Sequence, residues 1–266
     1  MKLYTLVFIL FYSSVSFAQQ AGDIDLTHWK LELPSGYTAS EWKLSQFQED
    51  SFAQPFFYLD SLDGALVMKA FPVVGTSKAK YTKTSLREQM EPGESSKNWS
   101  LSEGGRLKAT FQLVEISKKG KKYDRTLLFQ IHGTTSKSQN KELALAKSVS
   151  VPLLSIYWQD ERIRVVRKTR KSLDLYGDEL IDKAAWQDDK GRYFNKKVGF
   201  EKATIEIIAS EGRIEVKLNN QKPIIYRDSS IKKWPFENYF NAGNYLQTKN
   251  IGSISTVKYY ALEVSH

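Results

Sequence analysis

Short runs of alternating apolar and polar residues recur along most of this chain. In the first run, Trp29, Leu31 and Leu33 alternate with Lys30 and Glu32. A period of two places successive side chains on opposite faces of an extended chain, so each run predicts a half-buried β-strand. Further runs of this kind cover residues 65–74, 81–90, 106–116, 126–133, 153–159, 162–168, 203–209, 213–218, 223–227 and 253–264.

Tight turns join several of these predicted strands. The dipeptides at 160–161 (Asp-Glu) and 211–212 (Glu-Gly) each lie between two paired runs and predict hairpin turns. No long segment has the 3.6-residue period of a helix, and only residues 39–47 and 173–186 are candidates for short helices. Many strands with tight turns are typical of an all-β protein, an antiparallel β-sandwich or jelly roll.

The run from Asn238 to Gln247 has two unlike faces. The face that suits a core consists of Phe240, Ala242, Asn244 and Leu246. The opposite face consists of Tyr239, Asn241, Gly243, Tyr245 and Gln247. Phenols and amides without any charge favour a sugar-binding surface, and a glycine among them would let another group approach the backbone. An ordinary half-buried strand is the simpler alternative.

The first 18 residues have the pattern of a secretion signal. Lys2 supplies the positive end, residues 3–15 are apolar, and residues 16–18 (Ser-Phe-Ala) offer small residues for cleavage. The apolar run is too short to span a membrane. We therefore expect a mature chain that begins near Gln19 and is secreted or periplasmic. The remaining 248 residues show no linker or repeat and predict a single domain over 19–266.

Composition limits the partners that the mature chain can have. The formal net charge is +9, and removal of the signal takes away one lysine and no acid, which leaves +8. A cationic exported protein is expected to meet an anionic polysaccharide, a membrane surface or nucleic acid, unless the charge serves only solubility. The basic clusters at 118–122 and 168–171 carry no nucleic-acid motif, so we expect solvated loops, no nucleic acid and no membrane partner. The chain has no cysteine, which excludes disulfides and thiolate sites.

Two further strands present polar side chains on one face. Gln130 and His132 project together opposite the apolar face of the run 126–133. Lys83, Ser85 and Arg87 share a face of the run 81–90, where two cations are costly inside a core and suited to a carboxylate ligand. A buried structural histidine and a surface salt bridge are the plain alternatives. A single central histidine argues against a multi-histidine metal site.

These segments together resemble a known family, the alginate lyases of polysaccharide lyase family 7. The family's strand motifs are Arg-Ser/Thr-Glu-Leu-Arg, Gln-Ile/Val-His and Tyr-Phe-Lys-Ala-Gly-x-Tyr-x-Gln. Residues 130–132 match the second motif, and residues 239–247 match the third except for Asn241 in place of lysine. The opening segment 25–34 is also similar. The first motif departs most, because Lys83 stands at its leading arginine and Ser85 at its acid.

The resemblance implies a jelly roll with a concave substrate cleft that cleaves alginate by β-elimination, without metal or cofactor. It implies catalytic roles for Arg87, Gln130, His132 and Tyr245. Substrate-binding residues would be Lys83, Ser85, Tyr239, Asn241 and Gln247. Tyr245 would protonate the departing oxygen, and the base would be His132 or Tyr245 itself. We expect nearby cations to lower the pKa of the catalytic tyrosine, and we expect a monomer.

Other functions stay open at this stage. A noncatalytic carbohydrate-binding sandwich would need the tyrosines but not Gln130 and His132. A jelly-roll glycoside hydrolase would need two facing carboxylates, and Glu88 is predicted to lie on the wrong face of its strand. Another polyuronate such as glucuronan is the nearest alternative substrate. The isoleucine form of the middle motif favours guluronate-containing stretches, while internal and terminal cleavage are not distinguished.

Overall fold

Alternating runs become strands in the structure, a computed structural model that describes residues 24–34, 38–39, 54–72 and 81–266. The described residues form eighteen strands: β1 (Trp29–Glu32), β2 (Thr38–Ala39), β3 (Phe57–Leu59), β4 (Leu66–Ala70), β5 (Lys83–Glu88), β6 (Gly105–Ile116), β7 (Lys118–Lys119), β8 (Lys122–Tyr123), β9 (Thr126–Thr134), β10 (Ser150–Gln159), β11 (Arg162–Arg170), β12 (Trp186–Asp188), β13 (Arg192–Tyr193), β14 (Ala203–Ser210), β15 (Arg213–Leu218), β16 (Ile224–Arg227), β17 (Glu237–Leu246) and β18 (Ser255–Ser265).

Two large antiparallel sheets contain most of these strands. The first, here called the site sheet, has the order β12-β11-β10-β9-β17-β5-β1-β2, with β13 paired to β11. The second, the back sheet, has the order β16-β15-β14-β6-β18-β4-β3. Strands β7 and β8 form a separate exposed hairpin from the basic cluster at 118–122. The predicted all-β antiparallel sandwich of the jelly-roll type is confirmed.

Helices are few and short. The described residues contain α1 (Lys137–Glu142), α2 (Ser229–Lys232) and two 3-10 helices, Gly177–Ile181 and Lys183–Ala185. The one short helix considered for 173–186 is instead two 3-10 helices, because the side chain of Asp182 accepts the backbone N–H of Ala184 and caps the start of the second.

Some of the sequence predictions lie beyond what the structure describes. The helix considered for 39–47 lies outside the described residues except for Ala39, which is in β2. The signal at 1–18 and residues 73–74 of a predicted strand also lie outside them. No helix among the described residues is long and apolar enough to cross a membrane.

Both predicted hairpin turns are present. Asp160 and Glu161 have φ angles of 52° and 65° and join β10 to β11. Gly212, with φ of 72°, turns β14 into β15. In the first turn, positive φ at both central residues matches the twist of the flanking strands, which explains why so short a connection is possible.

Aromatic side chains fill the space between the two sheets. Phe129 on β9 contacts Phe111 on β6, with ring centroids 5.4 Å apart, and Tyr259 on β18, with ring centroids 5.9 Å apart. Phe129, Phe111 and Tyr259 are all buried, as are Trp29 and Phe240 on the inner face of the site sheet. Large buried aromatic rings contribute much of the apolar area that stabilises such a sandwich. The outer face of the site sheet is thereby left to polar side chains.

Asn244 is the one polar side chain on the predicted core face of β17, and it joins the two sheets. Its Nδ2 donates to the carbonyl oxygens of Met68, at 2.9 Å, and Ser255, at 2.8 Å, both on the back sheet. Its Oδ1 accepts the hydroxyl of Thr126, at 2.7 Å. A buried amide that makes all these bonds avoids the cost of an unsatisfied polar group. It therefore fixes β17 against the back sheet.

Gly243 permits the close approach that the sequence predicted, and the group that approaches its backbone is the neighbouring strand β5. A Cβ at Gly243 would lie 2.5 Å from the carbonyl oxygen of Thr84 and 2.6 Å from the Cβ of Ser85, both on β5. The hydroxyl of Tyr259 donates to the Gly243 carbonyl at 2.7 Å from the opposite side. A residue with a side chain would push β17 away from β5.

Glu88 lies on the inner face of β5, as predicted, and is buried. Its Oε2 accepts the indole N–H of Trp99, at 2.9 Å, and the backbone N–H of Phe240, at 2.8 Å. Its Oε1 lies 2.8 Å from Nε2 of His266. Burial alone would lower the pKa of His266, but the hydrogen bond and charge of Glu88 raise it. Glu88 therefore serves the fold and is not available as a cleft carboxylate.

Candidate active site

Residues from four strands, β5, β9, β10 and β17, line one cavity on the outer face of the site sheet, here called the central cavity. Its volume is about 380 Å³. Seven of the nine predicted site residues line it: Lys83, Ser85, Gln130, His132, Tyr239, Asn241 and Tyr245. The predicted residues Arg87 and Gln247 are not among its lining residues. The side chain of Gln247 instead donates to the carbonyl oxygen of Tyr245, at 3.0 Å.

The register of β17 explains this convergence. Because β17 lies between β9 and β5, each of its outward residues has a neighbour on both sides. Tyr239 lies opposite His132, and Tyr245 lies opposite Lys83. Residues directly opposite each other in an antiparallel pair point to the same face of the sheet. The third motif strand thus brings the other two motifs together.

His132 is held as a neutral imidazole. Its Nδ1 lies 3.1 Å from the carbonyl oxygen of Gly133, and this hydrogen bond assigns the proton to Nδ1. Burial, together with the positive charges of Lys83 and Arg87, lowers the pKa of His132 to about 4. The Nε2 atom then carries a lone pair at neutral pH. His132 can accept a proton.

Arg87 supports the cavity from behind a tyrosine. The rings of His132 and Tyr239 stack with centroids 5.1 Å apart and an interplanar angle of 18°, and Cζ of Arg87 lies 4.0 Å from the centre of the Tyr239 ring. Arg87 also donates to the carbonyl oxygen of Ser95, at 2.8 Å, and to Oδ1 of Asn98, at 3.3 Å. The guanidinium is thereby engaged with Tyr239 and this loop. Its contact with a substrate carboxylate stays a prediction.

Lys83 does line the central cavity, and it has a partner that the sequence did not reveal. Its Nζ forms an ion pair with Glu32 on β1, and the hydroxyl of Ser85 lies 3.3 Å from the same carboxylate oxygen. Burial alone would raise the pKa of Glu32, but the charge and hydrogen bond of Lys83 hold it below its usual value. The Glu32 carboxylate is therefore ionised at neutral pH.

Two amides complete the polar lining. Nε2 of Gln130 donates to the hydroxyl of Ser155 on β10, at 3.2 Å, which orients the amide. Burial raises the pKa of Tyr239 to about 12, and the Asn241 side chain offsets part of this rise. Asn241 is buried, and its Oδ1 has no hydrogen-bond partner among the described residues. An acceptor of this kind in a cavity wall suits a ligand hydroxyl.

Tyr245 contradicts the expectation that cations would lower its pKa. Burial raises the pKa of Tyr245 from its ordinary value of 10.0, although the backbone N–H of Tyr81 offsets part of this. Neither Lys83 nor Arg87 is among the groups that shift this pKa, and the hydroxyls of Tyr81 and Tyr157 raise it further. The phenol therefore keeps its proton at neutral pH and can donate it.

Sequence reasoning missed Glu32 and Ser155 as residues of this site. The alternation of its strand places Glu32 on the outer face, but nothing in the sequence reveals that β1 pairs with β5. Ser155 is a polar residue within an apolar run, and its pairing with Gln130 depends on the β9–β10 register. Within the described part of the chain, no group of three or more His, Cys, Asp or Glu side chains could hold a metal ion.

Comparisons with known proteins agree with the motifs. A family model described as alginate lyase matches residues 24–266. Among solved structures, the family 7 alginate lyase A1-II′ aligns with TM-score 0.68 and 23% identity over 93% of this chain and 98% of that one. A His-to-Asn, Tyr-to-Phe variant of A1-II′ in complex with the substrate GGMG aligns with TM-score 0.67 and 22% identity, covering 94% and 97% of the two chains.

A third solved structure is the alginate lyase from Klebsiella pneumoniae, with TM-score 0.66 and 19% identity over 93% of this chain and 98% of that one. At these identities the solved structures establish the shared fold. Comparison with curated proteins gives no match. The family assignment rests on the family model, which spans nearly the whole chain and includes all three motif strands. The chain belongs to the alginate lyase family and is a polysaccharide lyase, as its motifs indicated.

Proposed function

We propose that this protein cleaves alginate by β-elimination, with His132 as base and Tyr245 as acid. The observation that carries the proposal is that a neutral imidazole and a protonated phenol line the same cavity. In the reaction, the C5 proton leaves to the base and its electron pair forms the C4–C5 double bond. The C4–O bond breaks, and the acid protonates the departing glycosidic oxygen. The products are a new chain end and an unsaturated uronate.

The protonation states support separate roles for the two groups. A base must be unprotonated at working pH, and His132 meets this condition because its pKa is about 4. An acid must carry its proton, and Tyr245 does so because burial raises its pKa. Had cations lowered the pKa of Tyr245, one phenolate could have served as base and then as acid. The environment of this site favours two residues.

The remaining polar groups address the substrate carboxylate. Removal of the C5 proton adds negative charge next to that carboxylate, so positioned donors must stabilise it. The ammonium of Lys83 and the second N–H of the Gln130 amide are available for this in the central cavity. The unpartnered Oδ1 of Asn241 is suited to a sugar hydroxyl instead. These contacts would seat one uronate between His132 and Tyr245.

Separate base and acid also bear on which uronate is cleaved. Guluronate and mannuronate differ only at C5, so the C5 proton and the C4 oxygen lie on opposite faces in guluronate and on the same face in mannuronate. A base and an acid on different strands suit opposite faces. We therefore propose guluronate-containing stretches as the preferred substrate, which digestion of homopolymeric blocks would check.

Replacement of Tyr245 by Phe removes the hydroxyl that is the proposed acid and keeps the aromatic ring. We expect turnover of alginate to fall by about 100- to 10,000-fold, since a general acid contributes about that much. Near-ultraviolet absorbance of the unsaturated product measures the rate. Tyr58→Phe, on β3 of the back sheet, is the matched control and should keep full activity. If Tyr245→Phe turned over at a rate close to the original, Tyr245 would not be the acid.

The pH profile tests the base. Because His132 acts when neutral, we expect kcat/KM to be constant above about pH 5 and to be lost as the pH falls through about 4, the pKa of His132. The raised pKa of Tyr245 predicts no alkaline loss below about pH 10. In Lys83→Gln, the acid limb should move to higher pH, because the lysine charge no longer lowers the pKa of His132. Protonation of the substrate affects the unaltered protein and Lys83→Gln equally, so a difference between their acid limbs reports on His132. A limb near pH 6.5 in the unaltered protein would contradict the assignment.

We also propose that the chain is exported as a monomer after removal of residues 1–18. The support is the charge, apolar run and small residues at its N-terminus. Expression of the full chain in a bacterial host should give a product outside the cytoplasm whose mass corresponds to a start at Gln19. Its elution volume should match a single copy. An intact N-terminus retained in the cytoplasm would disprove export, and a larger species would disprove the monomer.

A further inference from the structure

The site face of β5 carries two cations and no acid, yet a carboxylate is present beside it. Glu32 on β1 lies directly opposite Ser85 on β5. Its carboxylate accepts the ammonium of Lys83 and lies 3.3 Å from the hydroxyl of Ser85. Glu32 itself is not among the lining residues of the central cavity, whereas Lys83 and Ser85 are. From β1 it contacts both Lys83 and Ser85, which line the central cavity.

We propose that Glu32 is a positioning residue that holds the Lys83 ammonium in the central cavity. The proposal rests on the function given above, in which Lys83 stabilises the substrate carboxylate. A lysine ammonium sits on a flexible four-carbon stem, while an arginine fork is oriented by its own planarity. A lysine at this position therefore needs an external group to fix it. Glu32 provides that group through a partly buried ion pair.

The position of Glu32 also explains a departure from the motif that this strand resembles. That motif has an acid two residues after its leading cation, where this chain has Ser85. Residues two apart on a strand share a face, so an acid at 85 would lie beside Lys83. Here the acid comes from the opposed position on the neighbouring strand instead. The carboxylate is displaced by one strand and still pairs with the same cation.

A charge-relocation series tests this inference. Glu32→Gln keeps the shape of the side chain and removes its charge, and we expect kcat to fall about 10- to 100-fold because Lys83 loses its orientation. KM for alginate should not rise, since the cavity gains a net positive charge. Adding Ser85→Glu to Glu32→Gln returns the acid to β5 and should restore most of kcat. Glu206→Gln, which removes a back-sheet carboxylate paired with Lys217, is the control and should leave kcat unchanged.

A second measurement makes the test independent of catalysis. Acetylation of Lys83 by acetic anhydride, followed by peptide mass spectrometry, reports how accessible the amine is and how readily its ammonium loses a proton. We expect slow labelling in the original protein, faster labelling in Glu32→Gln and slow labelling again in the double variant. Equal labelling and equal kcat in all three would overturn the role of Glu32. Absence of unsaturated product from the unaltered protein would instead count against the proposed function, and labelling would still judge Glu32.

A different observation supports a second inference, about the neighbouring cavity on the site sheet. This cavity of about 420 Å³, here called the lysine cavity, shares Ser150 and Pro152 with the central cavity. Lys147, Lys168 and Lys183 line it. No Asp or Glu is among its lining residues in the described part of the chain. It therefore continues the central cavity along the sheet with positive charge.

The acids near the lysine cavity are already engaged. Asp188 pairs with Lys168. Asp178 accepts the backbone N–H of Ala146, at 2.7 Å, and Asp182 accepts that of Ala184, at 2.8 Å. Lys147 and Lys183 are exposed and have no ion-pair partner among the described residues. Their charges are available to an anion.

We infer that the lysine cavity binds uronate units of the same polysaccharide chain, beyond the unit that is cleaved. This inference rests on the proposed function, because it takes the occupant of the central cavity as one end of the bound chain. A polyuronate carries one carboxylate on every sugar, so a chain leaving the central cavity past Ser150 meets Lys147 and Lys183 with matching charge. The apolar side chains of Val149 and Ile181 in the same wall suit the C–H faces of sugar rings.

Chain length distinguishes this site from general attraction of a polyanion. In the double variant that combines Lys147→Gln and Lys183→Gln, we expect KM for long alginate to rise about tenfold and KM for a trisaccharide to stay unchanged. The matched control removes two exposed lysines from the β7–β8 hairpin, Lys119→Gln with Lys121→Gln, and should change neither value. Calorimetric binding of oligosaccharides to these double variants in a Tyr245→Phe background gives the same comparison without turnover. An equal loss at all lengths, or an equal loss in the control, would overturn the inference.

Discussion

The whole site depends on how closely β17 passes β5 at Gly243. A Cβ there would lie within 2.6 Å of Ser85 and 2.5 Å of Thr84, so the two strands can pair at this point only because the residue is glycine. That pairing sets Lys83 opposite Tyr245, while the other edge of β17 sets His132 opposite Tyr239. A sheet that needs glycine for its spacing thereby determines which chemical groups meet.

Buried polar groups keep β17 in this place. Asn244 ties one end of the strand to the back sheet through two carbonyl oxygens, and Glu88 accepts the backbone N–H of Phe240 near the other end. Each of these groups would be costly to bury without its partners, so each specifies one position of the strand. The same burial that fixes the strand also sets proton affinities on its outer face. It keeps His132 neutral and Tyr245 protonated.

The sequence predicted correctly those features that depend on one strand alone, such as the face on which a side chain lies. Alternation separated the two faces of β17 correctly, and it placed Glu88 on the inner face of β5. It could not show partners that come from other strands, because alternation fixes the face of each side chain but not which distant strand lies beside it. Glu32, Ser155 and the stacking of Arg87 on Tyr239 were hidden for that reason. The pKa of Tyr245 was predicted in the wrong direction because burial of the phenol, which a single strand does not reveal, raises it.

The departures from the family motifs change which residues carry charge in the site, but the site keeps a cation, an acid and a neutral donor. Lysine in place of arginine at 83 keeps the cation, and Glu32 supplies the acid that Ser85 does not. Asn241 replaces a lysine and offers an acceptor where that residue would donate. The central cavity therefore keeps one oriented cation, with a second held behind Tyr239, and relies on Gln130 for a neutral donor. Fewer free cations in the centre place more of the attraction for a polyanion at its margin, where the lysines around Ser150 lie.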